Sequence, residues 1–395
     1  MDRGVIPWRP VRRAMREVAV VGIGLIKVEK QSDLSLRQMG VEVIRQAMES
    51  ARVDEVDALY AGNMLADELQ GQKHIASLLA SEAGLVGVEA LQVRAATATG
   101  AAALRMAYLS VASGESDVAI AVGVEKMSSA PATPALAKAL DAEWEVPTGA
   151  TLISQNARLM QMYMERYNVP YEGFVNFAIN AHRNAMTNPY ALFHKEVTPE
   201  VVLQSRIVNA PLRLYDCSPI CDGAAAVVLA PADQARAFTD MPVRILASAV
   251  ATDYFRIEDR PDPLALEAAR VSAMRAMRRA NVHRRDIDFF EVHDAFSIMA
   301  ALILEAAGFA KRGEGWRLAA EGEIFREGRI PIATMGGLKA RGHPIGATAI
   351  YQTAEIVLQL TGRAGPNQIP NARVAMLQSV GGAAATVLTH IFAVE

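Results

Sequence analysis

The chain has 395 residues, of which 51% are apolar and 21% are charged, and its net charge is −3. This composition can bury a large interior and excludes a disordered chain, and the length exceeds what one simple core usually takes, so we expect two or three structural units. The small net charge, with no long run of lysine or arginine, argues against nucleic acid as the main partner.

The first segment places basic residues 9–13 ahead of an apolar run at residues 18–23. A secretory signal has a similar order, but glycine, lysine and glutamate soon interrupt this run and no small-residue cleavage site follows. No segment reaches ~18 apolar residues, so we expect no membrane span. Gly22-Ile23-Gly24 lacks the third glycine of a dinucleotide-binding loop and is a weak signal for one.

The two ends of the chain share a pattern. Residues 47–59 predict the end of a helix, a short turn and a buried strand, and residues 276–290 predict the same succession. A helix over 101–113 with a strand after it is matched later by a helix over 347–360 with a strand after it. Such an internal echo indicates two similar halves, and strand–helix alternation favours mostly parallel sheets covered by helices.

Thr97 lies at the predicted entrance of the alanine-rich helix over 101–113. A side chain there lies near unpaired backbone N–H groups and the positive end of the helix dipole. A cysteine would readily form a thiolate in this place, because its pKa of ~8.5 has only a short way to fall. A hydroxyl needs a strong adjacent base to attack anything, and Thr97 and Thr99 could instead simply cap the helix.

The residue pattern changes between residues 126 and 238, and we interpret this segment as an insert between the two halves. It could consist of ordinary surface helices and loops, or it could form a lid over a ligand. Both cysteines of the chain, Cys217 and Cys221, lie here. They lack the further ligands of a zinc site, so we expect two small apolar groups around a buried turn, no metal, and a reduced, cytoplasmic protein.

Three further stretches carry candidate site residues. They are Val292-His293-Asp294-Ala295-Phe296, Gly336-Gly337-Leu338-Lys339-Ala340-Arg341-Gly342-His343-Pro344-Ile345-Gly346 and Gln378-Ser379-Val380-Gly381-Gly382. His343 lies between glycine and a rigid proline, where a backbone can approach a ligand closely, and an imidazole suits a general base near neutral pH. Asp294 could fix the tautomer of His293 or cap the following helix. From the residues alone, Gly381 and Gly382 could simply turn the chain.

Together with the Thr97 stretch, and in this order, these motifs resemble the thiolase family over nearly the whole chain. The resemblance implies that Thr97 occupies the position of the nucleophilic cysteine, and that Ser379 occupies the position of a second cysteine. It implies that His343 serves as a general base and as a hydrogen-bond donor to a thioester oxygen. Gly342, which precedes it, would support this role. The backbone N–H groups of Thr97 and Gly381, with His343, would form an oxyanion hole.

The form His293-Asp294 resembles the sterol-carrier-type and archaeal branches of the family. Three functions stay open at this point. The first is acyl-CoA C-acyltransferase chemistry of the Claisen or retro-Claisen type. The second is a retro-aldol lyase on a β-hydroxyacyl-CoA, which needs a base and an oxyanion hole but no covalent nucleophile. The third is a non-catalytic protein that binds acyl-CoA or lipid.

The resemblance implies an α/β thiolase fold, with two similar βαβαβαββ halves in an αβαβα layering. We place the first half at residues 16–125, the inserted lid with its return to the core at 126–238, and the second half at 239–395. A coenzyme A thioester would be the substrate, with no cofactor bound permanently. We expect a homodimer or homotetramer, no nucleic-acid or membrane partner, and a small zinc-ribbon/OB-fold accessory protein as a further hypothesis.

Overall fold

A computed structural model describes residues 15–394, so the basic residues 9–13 and the last residue lie outside the described part. The strands are β1 Val18–Leu25, β2 Ala58–Gly62, β3 Glu89–Val93, β4 Ala119–Lys126, β5 Ile207–Asn209, β6 Leu212–Arg213, β7 Asp222–Pro231, β8 Val243–Thr252, β9 Phe289–Glu291, β10 Val374–Gly381 and β11 Thr386–Ala393. The helices are α1 Leu36–Ala51, α2 Ala66–Leu69, α3 Ile75–Glu82, α4 Thr99–Ser113, α5 Ala132–Ala137, α6 Leu152–Tyr167, α7 Val175–Ala185, α8 Pro199–Leu203, α9 Glu267–Ala280, α10 Ser297–Ala306, α11 Gly315–Ala320 and α12 Ile345–Leu360.

The main sheet has nine strands in the order β3-β2-β4-β7-β1-β8-β11-β10-β9. From the junction outward, the first half contributes β1-β7-β4-β2 and the second half contributes β8-β11-β10-β9, so four strands of each half follow one order. The first half adds β3 at its edge, whereas the fifth strand that the βαβαβαββ pattern predicts for the second half is reduced to an isolated bridge between Phe290 and Ile332. The halves meet where β1 pairs with β8 in antiparallel register, Val18 opposite Ile245. The echo in the sequence therefore corresponds to a repeated topology.

The parallel pairs expected from strand–helix alternation lie at the two ends of the sheet. They are β3 with β2, β2 with β4, and β9 with β10. The five pairs between β4 and β10 are antiparallel. These central pairs run antiparallel because the insert returns the chain as β7 beside β4, and because a tight turn connects β10 to β11.

The helices form layers on both faces of the sheet and between the halves. Alternate residues of β1 face different cores: Ala19 and Val21 pack with α1 and α3, whereas Val18 and Val20 pack with α4 and α12. A third core packs α9 and α10 against the outer face of the second half. The layers are therefore α1 and α3, the strands of the first half, α4 and α12, the strands of the second half, and α9 and α10. This is the αβαβα arrangement that the fold class predicted.

The entrance of α12 packs unusually close to the first half. The carbonyl oxygen of Gly346 lies 3.0, 2.7 and 2.3 Å from the points where Gly62, Gly100 and Gly123 would carry a Cβ. Any side chain at Gly123 would therefore push the α12 entrance away. We refer to Gly62, Gly100, Gly123 and Gly346 as the glycine seam.

The helices of the inserted segment lie against the second half. Its helix α6 begins with a capping box between Thr151 and Ser154 and packs on α10. Helix α7 packs against the π-helical turn Gly337–Arg341, which leads to His343. In the described part of the chain, no helix has the length and apolar character needed to cross a membrane.

Candidate active site

A cavity that is partly open to solvent brings together residues from both halves and from the insert. Thr97, His293, His343 and Gly382 line it, so the structure places four of the sequence-predicted residues around one space. Most of the remaining lining is apolar, including Phe296 beside the histidines. Such a cavity, apolar with a few convergent polar groups, is typical of a small-molecule site.

The two histidines form the polar centre of the cavity. Their ring centroids lie 5.1 Å apart with the ring planes at 88°. Both side chains are almost wholly buried, with 3% exposure for His293 and 6% for His343. Burial lowers the pKa of His293 to about 3, and burial together with the neighbouring His293 and Arg341 lowers the pKa of His343 well below its usual value. Both imidazoles are therefore neutral near pH ~7 in the folded chain.

A hydroxyl at the start of α12 orients the His343 ring. The Oγ1 atom of Thr348 lies 2.7 Å from Nδ1 of His343 and donates its own proton to the carbonyl of Pro344, 3.2 Å away. When the Thr348 proton is donated to Pro344, Nδ1 is the donor in the pair and a lone pair is left on Nε2. The backbone N–H of His343 also donates to Sγ of Cys221 at 3.2 Å. Sequence reasoning missed both partners, because neither belongs to the motif around His343.

His293 follows strand β9, and its ring is not held in the same way. Its Nδ1 is buried and has no hydrogen-bond partner among the described residues. The carboxylate of Asp294 accepts the N–H of Leu338 at 2.8 Å instead. Helix α10 begins after Phe296 without a side-chain cap. Both sequence-derived interpretations of Asp294, a tautomer-fixing partner and a helix cap, are therefore wrong: its side chain ties this turn to the π-helical turn before His343.

The hydroxyl of Thr97 is fully engaged with the end of β10. It donates to the carbonyl of Val380 at 2.6 Å and accepts the N–H of Gly382 at 3.1 Å. The proposed capping of α4 by Thr97 is not observed, and Thr99 bonds to the N–H of Ala95 and the carbonyl of Ala96 rather than to the helix. The Thr97 proton is thus donated to a backbone carbonyl oxygen.

At the end of β10, Val380 and Gly382 line the cavity, whereas Ser379 and Gly381 do not. The Cβ position of Gly381 is only 2.5 Å from the carbonyl oxygen of Ala95, so this backbone packs tightly against the Thr97 turn. Ser379 is wholly buried, and its hydroxyl lacks a partner within residues 15–394. Since side chains alternate along a strand, Val380 faces the cavity and Ser379 faces the opposite side. The structure therefore does not bring Ser379 into the candidate site.

The two cysteines have different environments, and both are free thiols. Cys221 is buried as expected, and burial raises its pKa to about 12. Cys217 is only half-buried and lines the cavity, which corrects the expectation of two wholly buried groups. It reaches the cavity because the N–H of Ser218 donates to the carbonyl of Ala295 at 2.8 Å. Burial raises the pKa of the Cys217 thiol to about 11, so it is not an activated nucleophile.

Two buried acidic groups outside the motifs stabilise the site. Glu125 accepts the N–H of Gly346 at 3.0 Å and the side-chain amide of Asn63 at 2.9 Å, which fixes the entrance of α12 to the first half. Glu355 pairs with the buried guanidinium of Arg341 at 3.0 Å. Neither carboxylate could be assigned from sequence, because each partner lies in a distant segment. No cluster of three or more potential metal ligands occurs in residues 15–394.

Comparison with known proteins identifies the fold. Residues 18–233 match the family model described as "Thiolase, N-terminal domain", and residues 249–394 match "Thiolase C-terminal domain-like". The chain belongs to the thiolase family. This confirms the resemblance read from the sequence motifs and the predicted fold class.

Relatives in the thiolase family point to acyl-CoA chemistry. The chain is 45% identical to an acetyl-CoA acetyltransferase of Methanothermobacter thermautotrophicus, over 96% of this chain and all of that protein. It is 30% identical to sterol carrier protein 2 of Homo sapiens, over 97% of this chain and 73% of that protein. The chain is therefore an acyl-CoA acetyltransferase-like member of the family.

Two solved structures share the fold at low sequence identity. The first is "Ltp2-ChsH2(DUF35) aldolase", with a TM-score of 0.84, 23% identity, and coverage of 96% of this chain and 98% of that one. The second is human mitochondrial 3-ketoacyl-CoA thiolase, with a TM-score of 0.73, 16% identity, and coverage of 97% and 100%. At these identities the likeness establishes the fold alone.

Proposed function

We propose that this thiolase-family protein binds a coenzyme A thioester and makes or cleaves the C–C bond beside the thioester carbonyl, without forming an acyl-enzyme on Thr97. The observation that carries the proposal is the contrast within the cavity. Two neutral imidazoles line it, whereas the Thr97 hydroxyl already donates to Val380. Proton transfer is therefore available in the site, and an activated nucleophile is not.

In the cleavage direction, an imidazole accepts the proton of the coenzyme A thiol, and the thiolate attacks the ketone carbon of a 3-ketoacyl-CoA. The bond between C2 and C3 breaks and its electron pair passes to the thioester enolate. The imidazolium then returns the proton to C2, which gives two acyl-CoA molecules. His343 is our candidate for the base, because Thr348 leaves the Nε2 lone pair free. The backbone amide of Thr97, which lines the cavity, would stabilise the enolate oxygen, and that of Gly381 is the second donor that the family resemblance implies.

The engaged hydroxyl of Thr97 also favours a second function, a retro-aldol lyase acting on a β-hydroxyacyl-CoA. Here a histidine removes the proton of the substrate hydroxyl, the C2–C3 bond breaks, and an aldehyde or ketone leaves. The enolate takes the proton back at C2. This chemistry requires a base and an oxyanion site, and no protein nucleophile takes part.

A product analysis separates these functions. The purified protein is incubated with acetoacetyl-CoA plus coenzyme A, and separately with 3-hydroxyacyl-CoA substrates, and the products are identified by mass. Thiolysis supports the acyltransferase, and release of an aldehyde or ketone supports the lyase. Binding of coenzyme A esters without turnover would mean a non-catalytic binding protein, and absence of binding by calorimetry would refute the proposal.

Variants at Thr97 test whether turnover depends on its hydroxyl. Without an acyl-enzyme, Thr97→Val and the hydroxyl-keeping control Thr97→Ser should both stay within about 10-fold of wild type, since Thr97→Val loses only two neutral hydrogen bonds to backbone and Thr97→Ser keeps both. A loss of more than about 100-fold in Thr97→Val alone would identify Thr97 as a nucleophile. Thr97→Cys should raise thiolysis, because a thiol at a helix entrance ionises readily.

We also propose a homodimer or larger homo-oligomer that pairs through the first half. Strand β3 ends the sheet, and Leu91 on it is 50% exposed. An edge of this kind offers backbone groups and an apolar side chain to a second copy. Light scattering after chromatography should show a dimer that Leu91→Asp dissociates, and a monomeric wild-type protein would contradict the pairing.

The segment 126–238 is proposed to act as a lid, since Met127, Leu152 and Cys217 contribute to the cavity lining. We propose a cytoplasmic location, which free thiols favour. A zinc-ribbon/OB-fold accessory protein is a further proposal, supported by the His293-Asp294 form and by the complex named in the aldolase structure. Co-purification with a small partner would support it, and an active, monodisperse homo-oligomer would count against it.

A further inference from the structure

Lys339 is a buried cation that takes no part in the chemistry proposed above. It lies on the π-helical turn Gly337–Arg341, and only 2% of its surface is exposed. A lysine is rarely buried to this extent unless its ammonium group is satisfied by specific partners. The carboxylates of Asp216 and Asp294 act on this ammonium group through their charge, while its hydrogen-bond partners are of another kind.

The hydrogen-bond partners of Lys339 are two backbone carbonyls that directly precede residues of the cavity lining. Its Nζ donates to the carbonyl of Asp216 and, at 3.4 Å, to that of Tyr215. The next residues, Cys217 and Ser218, line the cavity. One ammonium group therefore connects the turn that carries His343 with the wall that faces the histidines.

The turn that receives these hydrogen bonds is itself well ordered by side chains. The carboxylate of Asp216 accepts the hydroxyl of Tyr171 at 2.6 Å and the N–H of Arg213 at 2.8 Å. On the other side, the N–H of Ser218 donates to the carbonyl of Ala295. The segment 215–218 is thus attached both to the turn after β9 and, through Lys339, to the turn before His343.

We infer that Lys339 is a positioning residue that sets the width of the cavity by holding the 215–218 wall against the histidine turns. The attachment of the segment 215–218 follows from the contacts above, whereas its consequence for substrate binding rests on the proposed function. Loss of the two hydrogen bonds would remove the donor from two carbonyls and loosen the wall, which would then be attached only through Ser218 and the side chain of Asp216. Cys217 would then become more accessible, while Cys221, which lies under His343, would stay covered.

The two cysteines make this inference testable without any substrate. We compare alkylation rates of Cys217 and Cys221 by iodoacetamide, read by peptide mass spectrometry, in wild type, Lys339→Met and Lys339→Gln. In Lys339→Met we expect Cys217 to react at least about 10-fold faster, with Cys221 unchanged, because local opening exposes only the loosened segment. Equal acceleration at both thiols would indicate general destabilisation and overturn the inference.

Lys339→Gln separates hydrogen bonding from charge. The glutamine amide keeps two donors without a charge, so Cys217 in this variant should react within about 3-fold of the wild-type rate. A rate equal to that of Lys339→Met would overturn the hydrogen-bond basis of the positioning. The exposed Lys311→Met serves as the control for a lost surface charge and should leave both thiols unchanged.

Kinetics with whichever substrate turns over link the wall to function. Lys339→Met should raise KM by about 10-fold and change kcat less, because the wall contacts bound substrate while the histidines stay in place. A fall in kcat with an unchanged KM would contradict a positioning role. If wild type neither binds nor converts coenzyme A esters, the proposed function fails, and the alkylation result still decides the role of Lys339.

Discussion

The two halves of the molecule share one topology and contribute differently to the cavity. Each half places the N-terminal end of a central helix there: α4 after Thr97 in the first half, and α12 after His343 in the second. At the first entrance, the hydroxyl is held by backbone groups of β10. At the second, Thr348 orients an imidazole and leaves one ring nitrogen free.

The comparison teaches that repeated architecture does not carry repeated chemistry. The first half supplies shape, through the glycine seam and the covered hydroxyl of Thr97, and the second half supplies the groups that can move protons. Since the reactive groups are concentrated in one half, variants in the two halves should separate geometry from catalysis. The following experiments break or sharpen this contrast.

The largest effect is expected at His343. His343→Gln should lower kcat/KM by about 10²–10⁴-fold, the usual contribution of a general base, whereas Thr97→Val should cost far less. Initial rates with the substrate identified by product analysis measure both. The exposed His283→Gln is the control and should have no effect. Equal losses from Thr97→Val and His343→Gln would erase the proposed difference between the halves.

A second large effect concerns stability. Arg341→Met leaves the buried carboxylate of Glu355 without its partner and should lower the free energy of unfolding by about 3–5 kcal/mol. Arg341→Met combined with Glu355→Leu should recover much of this loss, since no unpaired charge remains. Urea unfolding followed by circular dichroism gives both values. If the double variant is no more stable than the single one, Arg341 matters mainly through its packing over Tyr351.

The glycine seam tests the contribution of the first half. Gly123→Ala places a methyl group 2.3 Å from the carbonyl of Gly346, so we expect about 1–3 kcal/mol of destabilisation by overpacking. It should also lower turnover, because the entrance of α12 carries His343. Ala121→Gly on the same strand is the control, with a cost of about 1 kcal/mol and no kinetic effect. Normal turnover in Gly123→Ala would show that the seam does not position the histidine.

The smallest effect per group is a dependence of stability on pH. His293 and His390 have folded-state pKa values of about 3, and that of His343 is also lowered, so the folded chain leaves these rings unprotonated. The unfolded chain binds protons near pH ~6.5, so stability is fully present above that value and falls as the pH drops towards ~3. Between pH ~7 and ~6 each ring should cost below about 1 kcal/mol. A melting temperature unchanged from pH ~7 to ~5 would contradict neutral burial of these rings.

Much of the architecture could be read from the sequence, because apolar spacing and stop signals are local. Helix α4 ends before Gly114 as predicted, and the motif around His343 identified the polar centre of the cavity. Strand ends have no such local signal: β4 ends at Lys126 and β10 at Gly381, as far as pairing with neighbouring strands carries them.

The rest of the site depends on contacts between distant segments. Thr348 and Glu125 carry no local signal of their roles, because each acts on a backbone or ring brought close only by the fold. Ser379 was misplaced because motif order does not report which face of a strand a side chain occupies. Cys217 was read as buried, although one backbone hydrogen bond from its neighbour turns it to the cavity.

The glycine seam has a consequence for how this protein could change over evolutionary time. A surface in which backbone touches backbone leaves no room for a side chain, so the entrance of α12, which follows His343, is nearly fixed in position. The cavity lining also includes ordinary side chains such as Met127, Leu152 and Cys217, and single substitutions of these can enlarge or narrow the cavity. Differences in acyl preference among relatives should therefore accumulate at these side chains, while the entrance of α12 remains constant.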